Sequence, residues 1–175
     1  ASGLVTAGAW ASSCTTLQVF GPGIKKPGEV VQTVQTYLGT VVTGSTNLPH
    51  DNTIPQITEG DEYMTLAITP TSTTNKLKID VVWNGIGGTD DLTVALFQDA
   101  TAGALAAVLN AMAGDTDART TNFTHYMDAG TTSSTTFRVR AGTDGTGQIT
   151  FNGFGAARKL GGIMASSMTI TEIKV

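Results

Sequence analysis

Apolar and polar residues alternate with a period of two through most of the chain. Met64, Leu66 and Ile68 alternate with Thr and Ala, and after a turn of Pro, Ser, Thr and Asn residues the pattern repeats over 76–83, with Trp83 as its last apolar position. A two-residue period places one set of side chains on a buried face and the other toward water. The pattern therefore predicts β-strands joined by tight turns.

Nine strands are predicted from this alternation, at about 29–38, 63–69, 76–83, 91–98, 104–112, 120–127, 135–141, 147–152 and 166–174. Their number and spacing suit an all-β fold, an antiparallel β-sandwich of jelly-roll type. The segment 100–113 is ambiguous, because its Ala and Leu residues favour a helix, whereas Gly103 and the connection after Gln98 favour a hairpin. The sequence favours a strand there.

Residues 1–28 differ from the remainder. They are rich in Gly, Ala and Ser, and they end in a connector, 21–28, which holds two prolines and three glycines and cannot continue a strand. We therefore predict an extended N-terminal arm over 1–28 and a β-domain over 29–175.

Composition and charge exclude several functions. The net charge is −4, and the basic pairs Lys25–Lys26 and Arg158–Lys159 are isolated, so nucleic acid is not an expected partner. No apolar run approaches the roughly 20 residues of a membrane-spanning helix, and we expect no membrane insertion. Cys14 is the single cysteine, which rules out an intrachain disulfide and favours a buried or inert thiol.

The candidate catalytic and metal-binding residues are sparse. The His–carboxylate neighbours are His50 with Asp51 and His125 with Asp128, and no Gly-x-Ser-x-Gly elbow accompanies them. Two histidines and one cysteine are few ligands for a transition-metal site, so none is expected, and the Asp/Glu clusters lack the pattern of a calcium loop. Residues 153–158 imitate a dinucleotide fingerprint without its third glycine or helix. The sequence predicts no enzyme, no metal and no cofactor.

Five blocks of sequence carry a resemblance to a known group of proteins. They lie at 28–37, 53–70, 95–107, 129–142 and 167–173, and read GEVVQTVQTY, TIPQITEGDEYMTLAITP, ALFQDATAGALAA, AGTTSSTTFRVRAG and SMTITEI. In this order they resemble the C-terminal domains of predicted tailed-phage tail fibres, spikes and related virion surface proteins. The resemblance covers roughly 28–175.

The resemblance implies a structural protein of a phage particle: a fibre, spike knob, head fibre or capsid decoration protein that assembles as a homotrimer and contacts the host surface, glycan or protein. The expected location is the virion surface. The absence of a long shaft before the domain favours a short knob or capsid-bound fibre if the chain is complete. In this interpretation the arm docks to other virion proteins through its apolar residues, Trp10, Leu17, Val19 and Phe20.

Further residues receive roles in the same interpretation. Loops 84–91, 113–119 and 142–147 face solvent or host, with Asp90, Asp117 and Asp144 as their representative acids. Trp83 shares the phase of the buried residues before it, so we expect it in the core or at a subunit interface.

A second class of function stays open, a carbohydrate-binding module or lectin, because jelly-roll sandwiches serve both classes. Exposed Trp or Tyr side chains along a shallow groove would favour it. A glycosidase or depolymerase is a weaker third class, and two carboxylates facing each other across a cleft would favour that.

Overall fold

The computed structural model of the chain describes residues 26–111 and 118–175. Within these ranges the regular elements are β-strands and one short 3₁₀ turn at Leu160–Gly162. The strands are β1 (Val30–Leu38), β2 (Val42–Gly44), β3 (Asp61–Ile68), β4 (Lys76–Ile86), β5 (Leu92–Gln98), β6 (Ala106–Asn110), β7 (Arg119–Asp128), β8 (Thr135–Thr143), β9 (Ile149–Phe151), β10 (Gly153–Phe154), β11 (Ala157–Arg158) and β12 (Ser166–Ile173).

The first sheet has β4 and β12 at its centre. Strand β7 lies along one edge of β4, and β12 lies along the other over Lys76–Val82, with β1 outside β12. The short strand β9 continues on the β12 side of β4 at Gly85–Ile86, and β2 pairs with β9. The sheet is therefore four strands wide, in the order β7–β4–β12–β1, and antiparallel throughout.

The second sheet has the order β3–β8–β5–β6, again antiparallel. The long strands of the two sheets pair as a nested set: β1 with β12, β3 with β8, β4 with β7, and β5 with β6. This nesting is that of a long hairpin wrapped around itself, which gives a jelly roll. The predicted antiparallel β-sandwich is confirmed.

The core fills the space between the sheets. The alternate residues of β4 that were predicted to be buried lie there. They pack against residues of β12 from their own sheet and of β3, β5 and β8 from the other sheet. At one end Trp83 packs against Tyr63 and Phe151, with ring centroids 6.1 and 5.8 Å away. Burial and the nearby Asp61 raise the pKa of Tyr63, so its phenol stays neutral.

The outer face of the second sheet is covered along β5 by residues 45–60, which we call the covering segment. Leu48 and Ile57 of this segment pack with the outward-facing Ala95 and Phe97 of β5. The backbone of the segment is tied down as well, because the amide of Leu48 donates to Thr143 O (3.0 Å) and the amide of Ile57 to Ala102 O (2.7 Å). Strand β5 is consequently buried on both faces.

Glu172 closes the opposite end of the core from Trp83. It is fully buried in β12, and its carboxylate accepts hydrogen bonds from Gln32 Nε2 (2.6 Å), Asn75 Nδ2 (2.6 Å) and the amide and hydroxyl of Thr71 (both 2.8 Å). Desolvation favours its neutral form, but these donors outweigh desolvation and hold its pKa below the usual range. The buried carboxylate thereby fixes the turn between β3 and β4.

The structure differs from the predicted elements in a few places. Residues 106–110 form a strand, so the prediction of strand over helix is confirmed there. Strand β4 runs on to Ile86, beyond the predicted end at residue 83, and β2, β10 and β11 were not predicted. No helix in the described residues is long and apolar enough to cross a membrane. The predicted arm, up to residue 25, lies outside the described ranges.

Candidate functional site

The outer face of the first sheet, which we call the open face, presents a regular array of side chains. Cross-strand pairing aligns the outward positions of β1, β12, β4 and β7 in rows across the sheet. Three of these rows are Tyr37–Ser167–Val82–Asn122, Gln35–Thr169–Asp80–Thr124 and Thr33–Thr171–Lys78–Tyr126. In contrast to the outward-facing residues of β5, the side chains of this face stay exposed or half-exposed.

The middle row is already organised by its own hydrogen bonds. Gln35 Nε2 donates to Thr169 Oγ1 (3.0 Å), and Thr124 Oγ1 donates to Asp80 Oδ1 (2.6 Å). Carboxylate, hydroxyl and amide oxygens accept more than one hydrogen bond, so these groups keep capacity for a ligand. The row forms a pre-positioned polar floor.

Two tyrosines lie at opposite corners of this floor. Tyr37 is on β1 and Tyr126 on β7, and both strands are edges of the sheet. Their exposed fractions are 69% and 58%, high for aromatic side chains within strands. Val82, between them in the array, is also exposed. Each ring offers an apolar face beside hydrogen-bonding groups, which is what an amphipathic ligand needs.

The charges on the open face are paired within it. Lys78 Nζ lies 2.8 Å from Asp80 Oδ2, and at the next row outward Lys76 Nζ lies 2.6 Å from Asp128 Oδ1. The hydrogen bond to Asp80 raises the pKa of Lys78, so the lysine stays charged and paired at neutral pH. The positive and negative charges of these four residues are therefore equal in number.

A second group of polar side chains lies at the end of the sandwich, where loops 87–91 and 144–148 meet the covering segment. Ligand atoms of His50, Asp91 and Asp144 all lie within 4.8 Å of one another, an arrangement that could hold a metal ion. His50 Nδ1 lies 3.4 Å from Asp91 Oδ2. No metal ligand was predicted here from the sequence.

The predicted receptor-facing acids have different surroundings. Asp90 is half-buried, and its carboxylate accepts the amide of Gly147 (2.6 Å), so it joins loop 87–91 to loop 144–148. Asp144 is exposed, and its amide donates to Asp91 O (3.3 Å). Asp117 lies outside the described residues. The structure thus brings Asp90 and Asp144 to one end of the molecule, and their contact with a receptor stays a prediction.

The remaining predicted site residues are Trp83 and the apolar residues of the N-terminal arm. Trp83 is fully buried in the core of the single chain. Trp10, Leu17, Val19 and Phe20 lie outside the described residues, so their docking role stays a prediction.

The His–carboxylate neighbours of the sequence are not paired in space. His125 points inward from β7 while Asp128 points outward and pairs with Lys76; desolvation lowers the pKa of His125. Asp51 accepts hydrogen bonds from the hydroxyl and amide of Thr53 instead of from His50, and these bonds lower its pKa. Neither pair forms a catalytic dyad.

One cleft brings two carboxylates together, as a glycosidase would require. It has a volume of about 420 Å³, and Asp99 and Asp128 both line it. The carboxylate of Asp99 accepts the hydroxyl of Thr135 and the amide of Thr136 (both 2.8 Å). Asp128 is paired with Lys76, so both acids have partners within the described residues.

The open face was missed at the level of sequence, although a signal for it was present. Tyr37 follows Thr33 and Gln35 in the outward phase of its strand, and Tyr126 follows Asn122 and Thr124 in the same way. An aromatic residue in the polar phase of an alternating strand is placed toward solvent. What the sequence did not show is that the two strands are opposite edges of one sheet.

Comparisons with known proteins give structural neighbours only. No protein-family model and no curated protein sequence matches the chain. One similar solved structure is the CBM22-1 xylan-binding domain from Paenibacillus barcinonensis Xyn10C, with 10% identity and a TM-score of 0.45 over 87% of this chain and 99% of that one. Another is the EclA C-terminal domain, a sugar-binding protein, with 14% identity and a TM-score of 0.37 over 83% of this chain and 84% of that one. Dimeric latent PorU from Porphyromonas gingivalis aligns over 89% of this chain but 14% of its own, with 6% identity and a TM-score of 0.38.

Proposed function

We propose that the chain is a non-catalytic attachment module that binds cell-surface carbohydrate on its open face. The observation that carries the proposal is the polar floor of the middle row between two exposed tyrosines, Tyr37 and Tyr126. A pyranose ring has apolar C–H faces and hydroxyl groups around its rim. The faces stack on tyrosine rings, and the hydroxyls pair with threonine, glutamine and aspartate groups.

Binding to a glycan array tests this function. We expect the purified chain to be retained by a subset of glycans, and the Tyr126→Ala variant to lose that retention. Ile54→Ala is the matched control, because Ile54 is also an exposed hydrophobic residue but lies in the covering segment, away from the open face. Retention of no glycan by the unmodified chain, or full retention by Tyr126→Ala, would overturn the proposal.

We infer, as a second candidate, that the module belongs to the surface of a phage particle and assembles there as a homotrimer. The resemblance of the five sequence blocks supports this setting, since they coincide with strands of the jelly roll: β1, β3, β5 with β6, β8 and β12. An exposed apolar group supports self-association: Leu160 and Ile163 are 73% and 80% exposed. The two candidates are compatible, because a virion protein can bind a host glycan.

The native mass of the purified chain tests the assembly. Light scattering on a sizing column should give about three times the 18.0 kDa of one chain. The variant Leu160→Asn with Ile163→Thr should then reduce that mass, while Ile54→Ala should not. A monomer at all concentrations would overturn the homotrimer and leave carbohydrate binding by a free module as the function to pursue.

A further inference from the structure

The positions of the two tyrosines define the size of ligand that would contact both. From Tyr126 to Tyr37 the path crosses from β7 through β4 and β12 to β1, and Tyr37 lies four positions along β1 from Thr33, which shares a row with Tyr126. With strands about 4.8 Å apart and a rise of about 3.3 Å per residue, the two residues are separated by roughly 14 Å across the sheet and 13 Å along it. A single sugar ring is much shorter than this diagonal.

The floor beneath that diagonal is polar without being charged overall. A line from Tyr126 to Tyr37 crosses the middle row near Asp80 and Thr169. Asp80 forms an ion pair with Lys78 and accepts a hydrogen bond from Thr124. The next two charged residues, Lys76 and Asp128, form an ion pair with each other. A sulfated or uronic acid ligand needs unpaired cations, and these lysines already have carboxylate partners.

We propose that the open face takes an uncharged oligosaccharide that lies diagonally across the strands and stacks on both Tyr37 and Tyr126. This inference rests on the proposed function, and it specifies the length of the ligand, its direction across the strands and its lack of charge. The two rings bind the ends of the segment, and the middle row contacts the hydroxyls between them. A monosaccharide reaches one ring and part of the floor, so it binds weakly.

Titration calorimetry with oligosaccharides of graded length tests the proposal. The probes are cello-, xylo- and manno-oligosaccharides, from the single sugar upward, with oligogalacturonates as the charged set. For at least one neutral series we expect affinity to rise with length and then level off once both tyrosines are reached. Oligogalacturonates of the same lengths should bind more weakly.

Variants at the two corners separate this proposal from carbohydrate binding in general. For the longest neutral ligand, Tyr37→Ala and Tyr126→Ala should each lower affinity about tenfold, the scale of one aromatic stacking contact, and the double variant about a hundredfold. Tyr→Phe variants keep the ring and should bind within a few-fold of the unmodified chain. All variants must keep the unmodified unfolding temperature, because both side chains are exposed.

The failures are distinguishable. If no glycan binds, both the proposed function and this inference are overturned. If a single sugar binds as tightly as the longest oligomer, or if Tyr126→Ala lowers the affinity for the longest ligand and Tyr37→Ala does not, carbohydrate binding stands and the diagonal oligosaccharide is wrong. Tighter binding of the oligogalacturonates overturns the proposed neutrality of the ligand.

Discussion

The two outer faces of the sandwich are built from similar strands but differ in what covers them. On the second sheet, residues 45–60 pack Leu48 and Ile57 onto Ala95 and Phe97. On the first sheet the outward positions are mostly Thr, Ser, Gln, Lys and Asp, and they remain accessible. The chain uses its own segment to cover the apolar outer side of β5 and leaves the polar outer face of the first sheet open. The difference teaches where a ligand has room, because of these two outer faces the open face is the one on which the described residues place exposed tyrosine rings beside accessible polar groups.

The largest effect that would test this comparison is expected on the covered face. Phe97→Ala removes a fully buried side chain between the second sheet and the covering segment, and it should lower the free energy of unfolding by about 3–5 kcal/mol. Urea denaturation measures the change. Ile54→Ala, in the same segment but exposed, is the control and should have little effect. A small loss for Phe97→Ala would mean that the covering segment is not packed in solution.

Acid should weaken the end of the sandwich that Glu172 holds. A carboxyl group whose folded pKa is depressed stabilises the fold above its unfolded pKa, here near 4.5, and that stability is lost as pH falls through the folded pKa. Glu172→Gln should therefore destabilise the chain at neutral pH by about 2–3 kcal/mol, since a buried charged acceptor is lost, and flatten the pH dependence below about pH 5.

Urea unfolding at neutral and acidic pH measures that change. Asp128→Asn removes an exposed carboxylate that is paired with Lys76 and is the matched control, with an expected effect below about 1 kcal/mol. The role of Glu172 would be disproved by a variant that keeps the stability and the acid sensitivity of the unmodified chain.

How far these features could be predicted depends on whether they are local in sequence. Alternation located the long strands, because a period of two reports directly on which face of a sheet a residue occupies. The same alternation also indicates two further features, a strand covered on both faces and a buried carboxylate. Strand β5 reads Leu-Thr-Val-Ala-Leu-Phe without a polar phase, which indicates a strand covered on both faces. Glu172 follows Met168 and Ile170 in the inward phase, which marks a buried carboxylate.

Other features depend on contacts between distant segments. The hydrogen bond from the amide of Gly147 to Asp90 joins residues 57 positions apart, and nothing near Asp90 in the sequence indicates that its carboxylate has a structural partner. Likewise the grouping of His50, Asp91 and Asp144 forms only when three loops meet at one end. The open face belongs to the same category, since its two tyrosines come from strands that the topology places on opposite edges.

The attachment of the covering segment should have an intermediate effect. Arg140, on the outer face of β8, donates from Nε to Glu59 O (2.8 Å) and from Nη2 to Gly60 O (2.6 Å). Arg140→Met keeps much of the side-chain volume but removes both hydrogen bonds, and should lower stability by about 1–2 kcal/mol. Hydrogen exchange should show the amides of Leu48 and Ile57 opening more often, with the first sheet unchanged. Uniform exchange across both sheets would contradict a local role for Arg140.

The smallest effect on stability is expected on the open face. Tyr37→Ala and Tyr126→Ala remove exposed rings, and each should change the free energy of unfolding by less than about 0.5 kcal/mol. Denaturation midpoints of these variants, set beside that of Phe97→Ala, measure the contrast between the two faces. A loss as large as that of Phe97→Ala would mean that the open face is buried in solution, by another part of the chain or by a second copy. If stability stays constant while glycan binding falls, the two tyrosines contact the ligand and do not stabilise the fold, because a ring that stays exposed in the folded chain has little burial to lose on substitution.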